Sequence, residues 1–274
     1  MKLSIITPVL NAVNLIDDTI ESILSQKGNF IVEYWIIDGG SNDGTIERIL
    51  HYKDRSVNSN VQIEFVSEKD NGLYDALIKG FKKITGDVVG YINAGDFYLP
   101  HAFSTICEVF KTNREIKWLT GLPLVFNEKG QNFFYYYPLD YKREFIRKGG
   151  YGKILKHIQQ ESTFWRSELL NLIDFEYLKN LKYAGDFYLW KNFAKHYDLF
   201  IVESFIAGFR IHEGQLSEDY EKYEKELYSI SEDCKLIDCL RLYLERFLID
   251  FMPDRLKKKV NQKVVKYQNG KWEI

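Results

Sequence analysis

The chain of 274 residues is 45% hydrophobic and 16% aromatic, which excludes a disordered protein and allows a large domain with a buried core. Its formal net charge of -2 gives no overall basic character, so we expect no nucleic-acid partner. Cys107, Cys234 and Cys239 form no metal-ligand pattern and indicate reduced thiols in a cytoplasmic protein. We predict neither a signal peptide nor a membrane-spanning helix, because no apolar run reaches roughly 18 residues.

Short apolar runs alternate with helical patterns from the amino terminus to Asp96. We predict strands over residues 3–7, 34–37, 63–66 and 88–92, with a helix after each of the first three. Pro8 lacks a backbone donor and is expected to end the first strand. The alternation predicts a mainly parallel sheet with right-handed crossovers, flanked by helices.

Carboxylates follow three of these strands, at Asp38, in the cluster 68–70 and at Asp96. Because the carboxyl ends of parallel strands meet at one edge, where ligands bind in open α/β sheets, we expect these side chains to lie close together. Like charges at such distances are costly unless a cation or a bound group compensates them, and carboxylates are natural ligands of hard divalent cations. The alternative for Asp96 is that Gly95-Asp96 only forms a turn before Pro100.

The pattern changes after Pro100. A predicted helix over 101–110 is followed by strands over 118–126 and 132–137, which flank a hairpin turn at 127–130. The aromatic run 133–137 is expected to cover a core face, and a sugar-stacking surface is the alternative. Basic residues around Gly149-Gly150 predict a mobile loop, which either closes over an anionic donor or forms solvated surface: Lys142, Arg143, Arg147, Lys148 and Lys153.

The last third of the chain is largely helical in pattern. Asp186 opens a helix with an apolar face that includes Trp190 and Phe193, so this carboxylate is either a site residue or only the helix N-cap. The basic, amphipathic stretch 255–266 predicts a terminal helix docked on the domain, and peripheral membrane contact is the alternative.

Four segments of the first half, residues 4–12, 36–45, 68–76 and 91–96, together resemble the nucleotide-sugar half of a family 2 glycosyltransferase. Segments at 160–164, 183–190 and 209–217 resemble the acceptor half of that family. The resemblance implies a GT-A fold, which is a Rossmann-like α/β fold with a mixed, mainly parallel sheet flanked by helices, here with a helical C-terminal extension. It also implies a nucleotide-sugar-binding half over 1–98, an acceptor-binding half over 99–217 and the extension over 218–274.

The resemblance assigns residues of the donor site one by one. Pro8, Asn11 and Asp38 match residues that bind the nucleotide, and Asp70 matches a residue of the donor pocket. The segment Asn93-Ala94-Gly95 matches residues that border the nucleotide sugar.

The resemblance also assigns the metal and the catalytic groups. Asp96 matches the last ligand of the family's Asp-x-Asp motif, which binds Mn²⁺ or Mg²⁺. Asn93 and Gly95 replace carboxylates often found in that motif, so the remaining ligands are expected from diphosphate and water. Asp186 matches the general base, and Glu161 is the second candidate for that role because it is a lone carboxylate in a neutral segment.

The predicted function is an inverting, metal-dependent glycosyltransferase that moves a sugar from a nucleotide-diphosphate sugar, with a UDP-sugar favoured, to a glycan or lipid-linked glycan in surface-polysaccharide biosynthesis. One alternative is a non-catalytic nucleotide-sugar-binding partner of another transferase, suggested by the reduced metal motif. The other is a sugar-nucleotide pyrophosphorylase, which would require a glycine-rich, basic phosphate loop that is missing after the first strand. The expected location is the cytoplasm or the inner face of the cell membrane.

Overall fold

The computed structural model describes residues 1–56, 60–215 and 218–274; Leu216 and Ser217, at the end of the predicted acceptor segment 209–217, lie outside the described residues. The strands are β1 (Lys2–Val9), β2 (Ile31–Asp38), β3 (Val61–Ser67), β4 (Val88–Tyr91), β5 (Phe97–Tyr98), β6 (Trp118–Thr120), β7 (Leu124–Phe126), β8 (Asn132–Tyr135), β9 (Thr163–Arg166), β10 (Leu199–Val202), β11 (Ala207–Arg210), β12 (Val264–Gln268) and β13 (Lys271–Glu273). The helices are α1 (Ile16–Leu24), α2 (Thr45–Arg55), α3 (Leu73–Phe81), α4 (Ala102–Thr112), α5 (Arg143–Arg147), α6 (Gly150–Lys153), α7 (Phe175–Lys179), α8 (Gly185–Ala194), α9 (Tyr220–Ile230), α10 (Leu236–Phe251) and α11 (Asp254–Val260).

Two sheets organise the described residues. The main sheet has the strand order β13-β12-β10-β6-β9-β4-β1-β2-β3, and a smaller sheet has the order β5-β11-β7-β8. Within the main sheet, β9 runs antiparallel to both neighbours, β4 and β6, and β13 runs antiparallel to β12. The mixed, mainly parallel sheet is therefore confirmed. Because β9 is reversed, its first residues lie at the same edge as the last residues of β4.

Helices cover both faces of the main sheet, so its central strands are buried on both sides. Ile5 and Ile6 of β1 are both fully buried, and they pack into separate clusters because successive strand residues point to opposite faces. Gly80 of α3 lies so close to β1 that a Cβ there would be 2.8 Å from the Ile6 Cγ2 atom. Burying each isoleucine side chain contributes about 1.5–3 kcal/mol to the stability of the fold. The packing of Gly80 against Ile6 holds α3 close to the sheet.

Pro8 does not end β1, so that prediction is wrong. The strand continues beyond it, with Pro8 in register with Ile37 of β2. The Ile6 carbonyl accepts from the Ile92 N–H on the β4 side, and residues two apart face the same neighbour. Pro8 therefore faces the β4 side, where the pairing of the two strands has already ended at Ile6. The missing backbone N–H of Pro8 costs no hydrogen bond between strands.

Residues 118–126 form two strands rather than the single predicted one. β6 belongs to the main sheet, whereas β7 pairs with β8 in the smaller sheet, and this hairpin confirms the predicted turn. The prediction that the aromatic run covers a core face is wrong for its first part: Phe133 is 58% exposed and Tyr135 61%. These side chains belong to β8, which is the edge strand of the smaller sheet.

The basic segment 142–153 is not a loop that closes over an anionic donor. It forms α5 and α6, and two of its lysines pair with acidic residues of α10. Lys142 Nζ lies 2.5 Å from the buried Glu245 carboxylate, and Lys148 Nζ lies 2.6 Å from that of Asp238. The segment therefore attaches α10 to the domain.

The C-terminal segment is helical only as far as Val260. The chain then forms β12, which pairs in parallel with β10 through Ile201 and Val264, and β13 completes the sheet edge. The predicted helix over 255–266 is too long because Val264 and Val265 are buried in the sheet. Within the described part of the chain, no helix is both long and apolar enough to span a bilayer.

Candidate active site

The predicted metal ligand Asp96 is held at the carboxyl edge of the main sheet, next to the end of β4. It is 4% exposed, and its Oδ1 accepts from the Arg210 backbone N–H at 2.8 Å. Its own carbonyl accepts from the Thr19 hydroxyl at 2.7 Å, which ties the loop to α1. Burial raises the pKa of the Asp96 carboxyl to about 7, and the backbone N–H and the charge of Arg210 oppose that rise. A nearby cation would therefore stabilise the ionised form.

Two buried oxygen atoms near Asp96 have no hydrogen-bond donor. The Oδ1 of Asn93 and the Oε1 of Glu161 are both unsatisfied among the described residues. Burial, followed by the charge of Asp96, raises the pKa of Glu161 well above its usual range. Glu161 lies two residues before β9, so the reversed direction of that strand brings it to the edge where β4 ends.

His212 is a candidate metal ligand that the sequence analysis did not assign. A Cβ on Gly95 would be only 3.3 Å from the His212 Nε2 atom, so the ring lies directly against the metal motif. His212 Nδ1 is 3.1 Å from the Glu213 carbonyl oxygen, which can only accept, so Nδ1 bears the hydrogen in the neutral ring. Nε2 then presents its lone pair. The signal in the sequence was the position of His212 within the motif-like segment 209–217.

Gly95 is required by the backbone and by this packing. Its φ of 104° lies in the left-handed region that favours glycine. Its N–H donates to the Thr19 hydroxyl at 3.0 Å, and a side chain would press on His212. Because residue 95 is a glycine rather than an acidic residue, the His212 ring has room to pack against it.

The predicted base Asp186 lies in the first turn of α8 and is partly buried. Burial raises the pKa of its carboxyl to about 6, while the Phe187 backbone N–H and the Tyr223 hydroxyl of α9 oppose that rise. The charges of both Asp96 and Asp186 raise the pKa of Glu161, so the three carboxyl groups share one electrostatic environment. The edge of the sheet therefore brings together Asp96, Glu161 and Asp186.

The alternative that Asp186 is only a helix N-cap is wrong. The N-cap residue of α8 is Ala184, which makes no side-chain capping bond. The Glu226 carboxylate of α9 instead accepts backbone N–H groups before α8, including Tyr183 at 2.7 Å and Ala184 at 2.6 Å. Asp186 lies inside the first turn of α8, where its Oδ1 accepts the Phe187 N–H at 2.7 Å.

Tyr74 explains why a glycine precedes Asp186. A Cβ on Gly185 would be 2.4 Å from the Tyr74 ring, so any side chain there would clash. The Tyr74 hydroxyl donates to the Tyr183 carbonyl at 2.9 Å and accepts from the Asp186 backbone N–H at 3.4 Å. Tyr74, at the start of α3, thus links the predicted donor half to the start of α8.

The residues predicted to bind the nucleotide meet at the ends of β1, β2 and β3. The Asn11 N–H donates to the Ser41 hydroxyl at 2.7 Å, and the Asn11 side chain accepts from the Asn42 N–H at 3.0 Å. Asp38 is fully buried and accepts from Ser67 at 2.6 Å and from the Gly40 N–H at 3.0 Å. Asp38 therefore shapes the loop through bonds within the protein.

Asp70 and Pro8 complete this part of the edge. Asp70 Oδ2 would be 2.6 Å from a Cβ on Gly39, so it lies against the backbone that follows Asp38. Pro8 is buried in β1 beside Ile37. Ala94, by contrast, is partly exposed between Asn93 and Gly95. The structure thus forms two adjoining groups, one around Asp38 and Asp70 and the other around Asp96.

The oxygen atoms around Asp96 fit a hard divalent cation. Asp96 and the two unsatisfied oxygens of Asn93 and Glu161 are donors of the kind that Mn²⁺ and Mg²⁺ bind, and His212 adds a nitrogen. Within the described ranges, no three His, Cys, Asp or Glu side chains form a complete metal site. A cation here would need further oxygen atoms from a ligand.

A largely parallel sheet with helices on both faces and a ligand site at its carboxyl edge is the architecture of open α/β enzymes, a group that includes the GT-A glycosyltransferases. The model of the family described as "Glycosyl transferase family 2" matches residues 4–182 of this chain. The chain therefore belongs to glycosyl transferase family 2. The match ends before Asp186, so it does not include the candidate base.

Sequence relatives agree with this family. An uncharacterised glycosyltransferase of Nostoc sp. is 31% identical over 125 residues, which cover 46% of this chain and 38% of the relative. An uncharacterised glycosyltransferase of Rickettsia typhi is 24% identical over 215 residues, which cover 77% of this chain and 64% of the relative. The chain thus spans less than two thirds of the length of either relative.

Solved structures share the fold. TarS of S. aureus, residues 1–349 in complex with UDP-GlcNAc, superposes with a TM-score of 0.62 at 15% identity, over 93% of this chain and 74% of that TarS chain. The mannosyltransferase PcManGT of Pyrobaculum calidifontis, in complex with GDP-Man and Mn²⁺, gives a TM-score of 0.59 at 14% identity, over 93% and 71% of the two chains. These likenesses confirm the GT-A fold.

Proposed function

We propose that this chain is a metal-dependent, inverting glycosyltransferase and that it uses a nucleotide-diphosphate sugar. The observation that supports the proposal is the convergence of Asp96, Glu161 and Asp186 at one sheet edge with unequal proton affinities. Carboxyl groups whose environments shift their pKa values differently are typical of sites that divide acid, base and electrostatic roles.

The proposed metal ligands are Asp96 and His212, with the Asn93 and Glu161 oxygens nearby. A bound Mn²⁺ or Mg²⁺ would neutralise the charge that develops on the leaving diphosphate. Burial makes ionised Asp96 costly without such a cation, which supports joint binding of metal and donor. The loops that contain Asn11, Asp38 and Asp70 are the proposed nucleotide site.

Asp186 is the proposed general base. With a pKa of about 6 it is mostly ionised at neutral pH and still basic enough to accept a proton from an acceptor hydroxyl. Glu161 is less suited to this role because burial and the charge of Asp96 favour its protonated form. It is therefore proposed to act beside the metal site rather than as the base.

The proposed reaction is a single displacement. The acceptor oxygen attacks the anomeric carbon while the bond from that carbon to the diphosphate oxygen breaks, and the hydroxyl proton moves to Asp186. The configuration at the anomeric carbon inverts because attack occurs opposite the leaving group. Base assistance of this kind typically accelerates a reaction about 10²–10⁴-fold.

The proposed donor is a UDP-sugar, and the proposed acceptor is a glycan or lipid-linked glycan of surface-polysaccharide synthesis in the cytoplasm. TarS is described with UDP-GlcNAc, which supports UDP, whereas PcManGT is described with GDP-Man. Peripheral membrane contact of residues 255–266 stays a prediction.

The test compares Asp186→Asn with Asp198→Asn, which alters an aspartate that pairs with Lys263 at 2.8 Å. Calorimetric titration with UDP-sugars and Mn²⁺ should give the same donor affinity for both variants. Release of UDP with a glycan acceptor should fall at least about 100-fold only in Asp186→Asn. Equal turnover in the two variants would remove Asp186 as the base. A failure of Mn²⁺ to strengthen donor binding to the unmodified protein would contradict the metal assignment.

A further inference from the structure

The outer face of α10 exposes a continuous row of large apolar side chains, here called the apolar stripe. Each member is more than half exposed, and Leu236 and Phe251 exceed 70%. The members are Leu236, Ile237, Leu240, Tyr243, Leu244, Phe247 and Phe251. Isolated apolar residues on a surface are ordinary, whereas a contiguous patch of this size marks an interaction surface.

The spacing of the stripe is that of a helix that packs against another helix. Ile237, Leu240, Leu244, Phe247 and Phe251 alternate steps of three and four residues, which is the pattern of a helix-pairing seam. The Phe247 and Phe251 rings are already in contact, with centroids 4.8 Å apart. The sequence of α10 therefore contains a seam that the described residues of one chain leave exposed.

The opposite face of α10 is firmly attached to the domain. Leu242 is 1% exposed and Ile249 is 8% exposed. The Lys142 and Glu245 pair joins this face to α5. The stripe is therefore a fixed feature of the domain surface rather than the result of a loosely placed helix.

The charges of α10 favour a protein partner over an anionic membrane. Arg241 pairs with Glu144 of α5, and Arg246 lies 3.6 Å from Asp250 of α10 itself. Membrane-surface helices instead present unpaired Lys and Arg residues along the apolar face. Neither arginine of α10 is unpaired, so α10 itself offers little attraction to lipid phosphates.

The size of the stripe matches one side of a stable dimer. Seven large side chains, each more than half exposed, present an area on the order of the ~800 Å² that one partner contributes to a standard interface. In a two-fold dimer the same patch occurs on both subunits, so an apolar stripe without unpaired charge is complementary to itself.

We propose that the apolar stripe of α10 binds the apolar stripe of a second copy of this chain, which forms a two-fold dimer by helix pairing. This inference is independent of the proposed reaction, because no residue of the stripe belongs to the candidate active site. In this dimer the Phe247 rings of both subunits would be buried at the interface. Phe247 should therefore be a main contributor to the affinity of the dimer.

The test is the solution mass of the full chain by light scattering coupled to size-exclusion chromatography at micromolar concentration. Phe247→Glu is compared with Phe133→Glu, because the two phenylalanines are 57% and 58% exposed and lie on different elements. We expect twice the chain mass for the unmodified protein and for Phe133→Glu. The single chain mass is expected for Phe247→Glu, whose dimer should be weakened at least about thirtyfold.

The circular dichroism spectrum should be unchanged in Phe247→Glu, which shows that the monomer is folded. Leu240→Glu should give the same monomer if folding of the first variant fails. An unmodified protein that stays monomeric, or a Phe247→Glu protein that stays dimeric, would overturn the proposal. A monomer that sediments with anionic vesicles only while Phe247 is intact would also overturn it, and would assign the stripe to lipid.

Discussion

Replacing Tyr223 by Phe should shift the pH dependence of catalysis without removing a group that reacts. Burial raises the pKa of Asp186 to about 6, and the Tyr223 hydroxyl is one of the groups that limit this rise. A hydrogen bond to a charged group contributes about 1.5–3 kcal/mol, and one pKa unit corresponds to about 1.4 kcal/mol. Loss of the hydroxyl should therefore raise the pKa of Asp186 by about one unit.

The assay is kcat/KM as a function of pH, which reports ionisations of the free enzyme. The base must be deprotonated, so the rate should rise with pH and level off above the pKa of Asp186. The midpoint is expected at about 6 in the unmodified enzyme, and about one unit higher in Tyr223→Phe. At pH near 6 the variant should be about fivefold slower, and the difference should vanish in alkaline solution.

The control is Tyr228→Phe, which removes the same hydroxyl from an exposed position of α9. Its midpoint should match that of the unmodified enzyme. An unchanged midpoint in Tyr223→Phe, or an equal shift in both variants, would refute the reasoning.

The raised pKa of Asp186 should also reduce stability. Because the folded protein holds this proton more tightly than the unfolded chain, the contribution of Asp186 to stability is largest below the unfolded pKa of 3.8 and is lost as pH rises through about 6. The change of about two units corresponds to about 3 kcal/mol. Denaturant titrations above neutral pH should therefore find Asp186→Asn more stable than the unmodified protein, and an equal or lower stability would contradict the assigned pKa.

Three further changes test the packing and the metal site. Gly185→Ala should cost about 1–3 kcal/mol of unfolding free energy, because the new Cβ would meet the Tyr74 ring; an unchanged denaturation midpoint would contradict this contact. His212→Ala should raise the Mn²⁺ concentration for half-maximal activity at least about tenfold, and unchanged Mn²⁺ dependence would exclude it as a ligand. Lys142→Met should lower the melting temperature by leaving buried Glu245 unpaired, whereas an equal melting temperature would show that this pair adds no stability.

The sequence by itself determined the first half of the fold and most of the candidate site. Alternating apolar strands and helices specify a parallel sheet because buried strands and amphipathic helices have distinct periods. The carboxylates at Asp38 and Asp96 could be assigned to the ligand edge because each directly follows a strand. These features depend on local patterns, which a sequence displays directly.

Tertiary structure alone decided the features that depend on distant contacts. Nothing local shows that β9 is reversed, and that direction brings Glu161 to Asp96. The same holds for His212 beside Gly95 and for the pairing of β12 with β10, each between residues far apart in the chain. The proton affinity of Asp186 likewise depends on burial and on Tyr223 of another helix. The sequence shows which residues carry carboxylates, whereas the proton affinity of each carboxylate depends on the groups that folding packs around it.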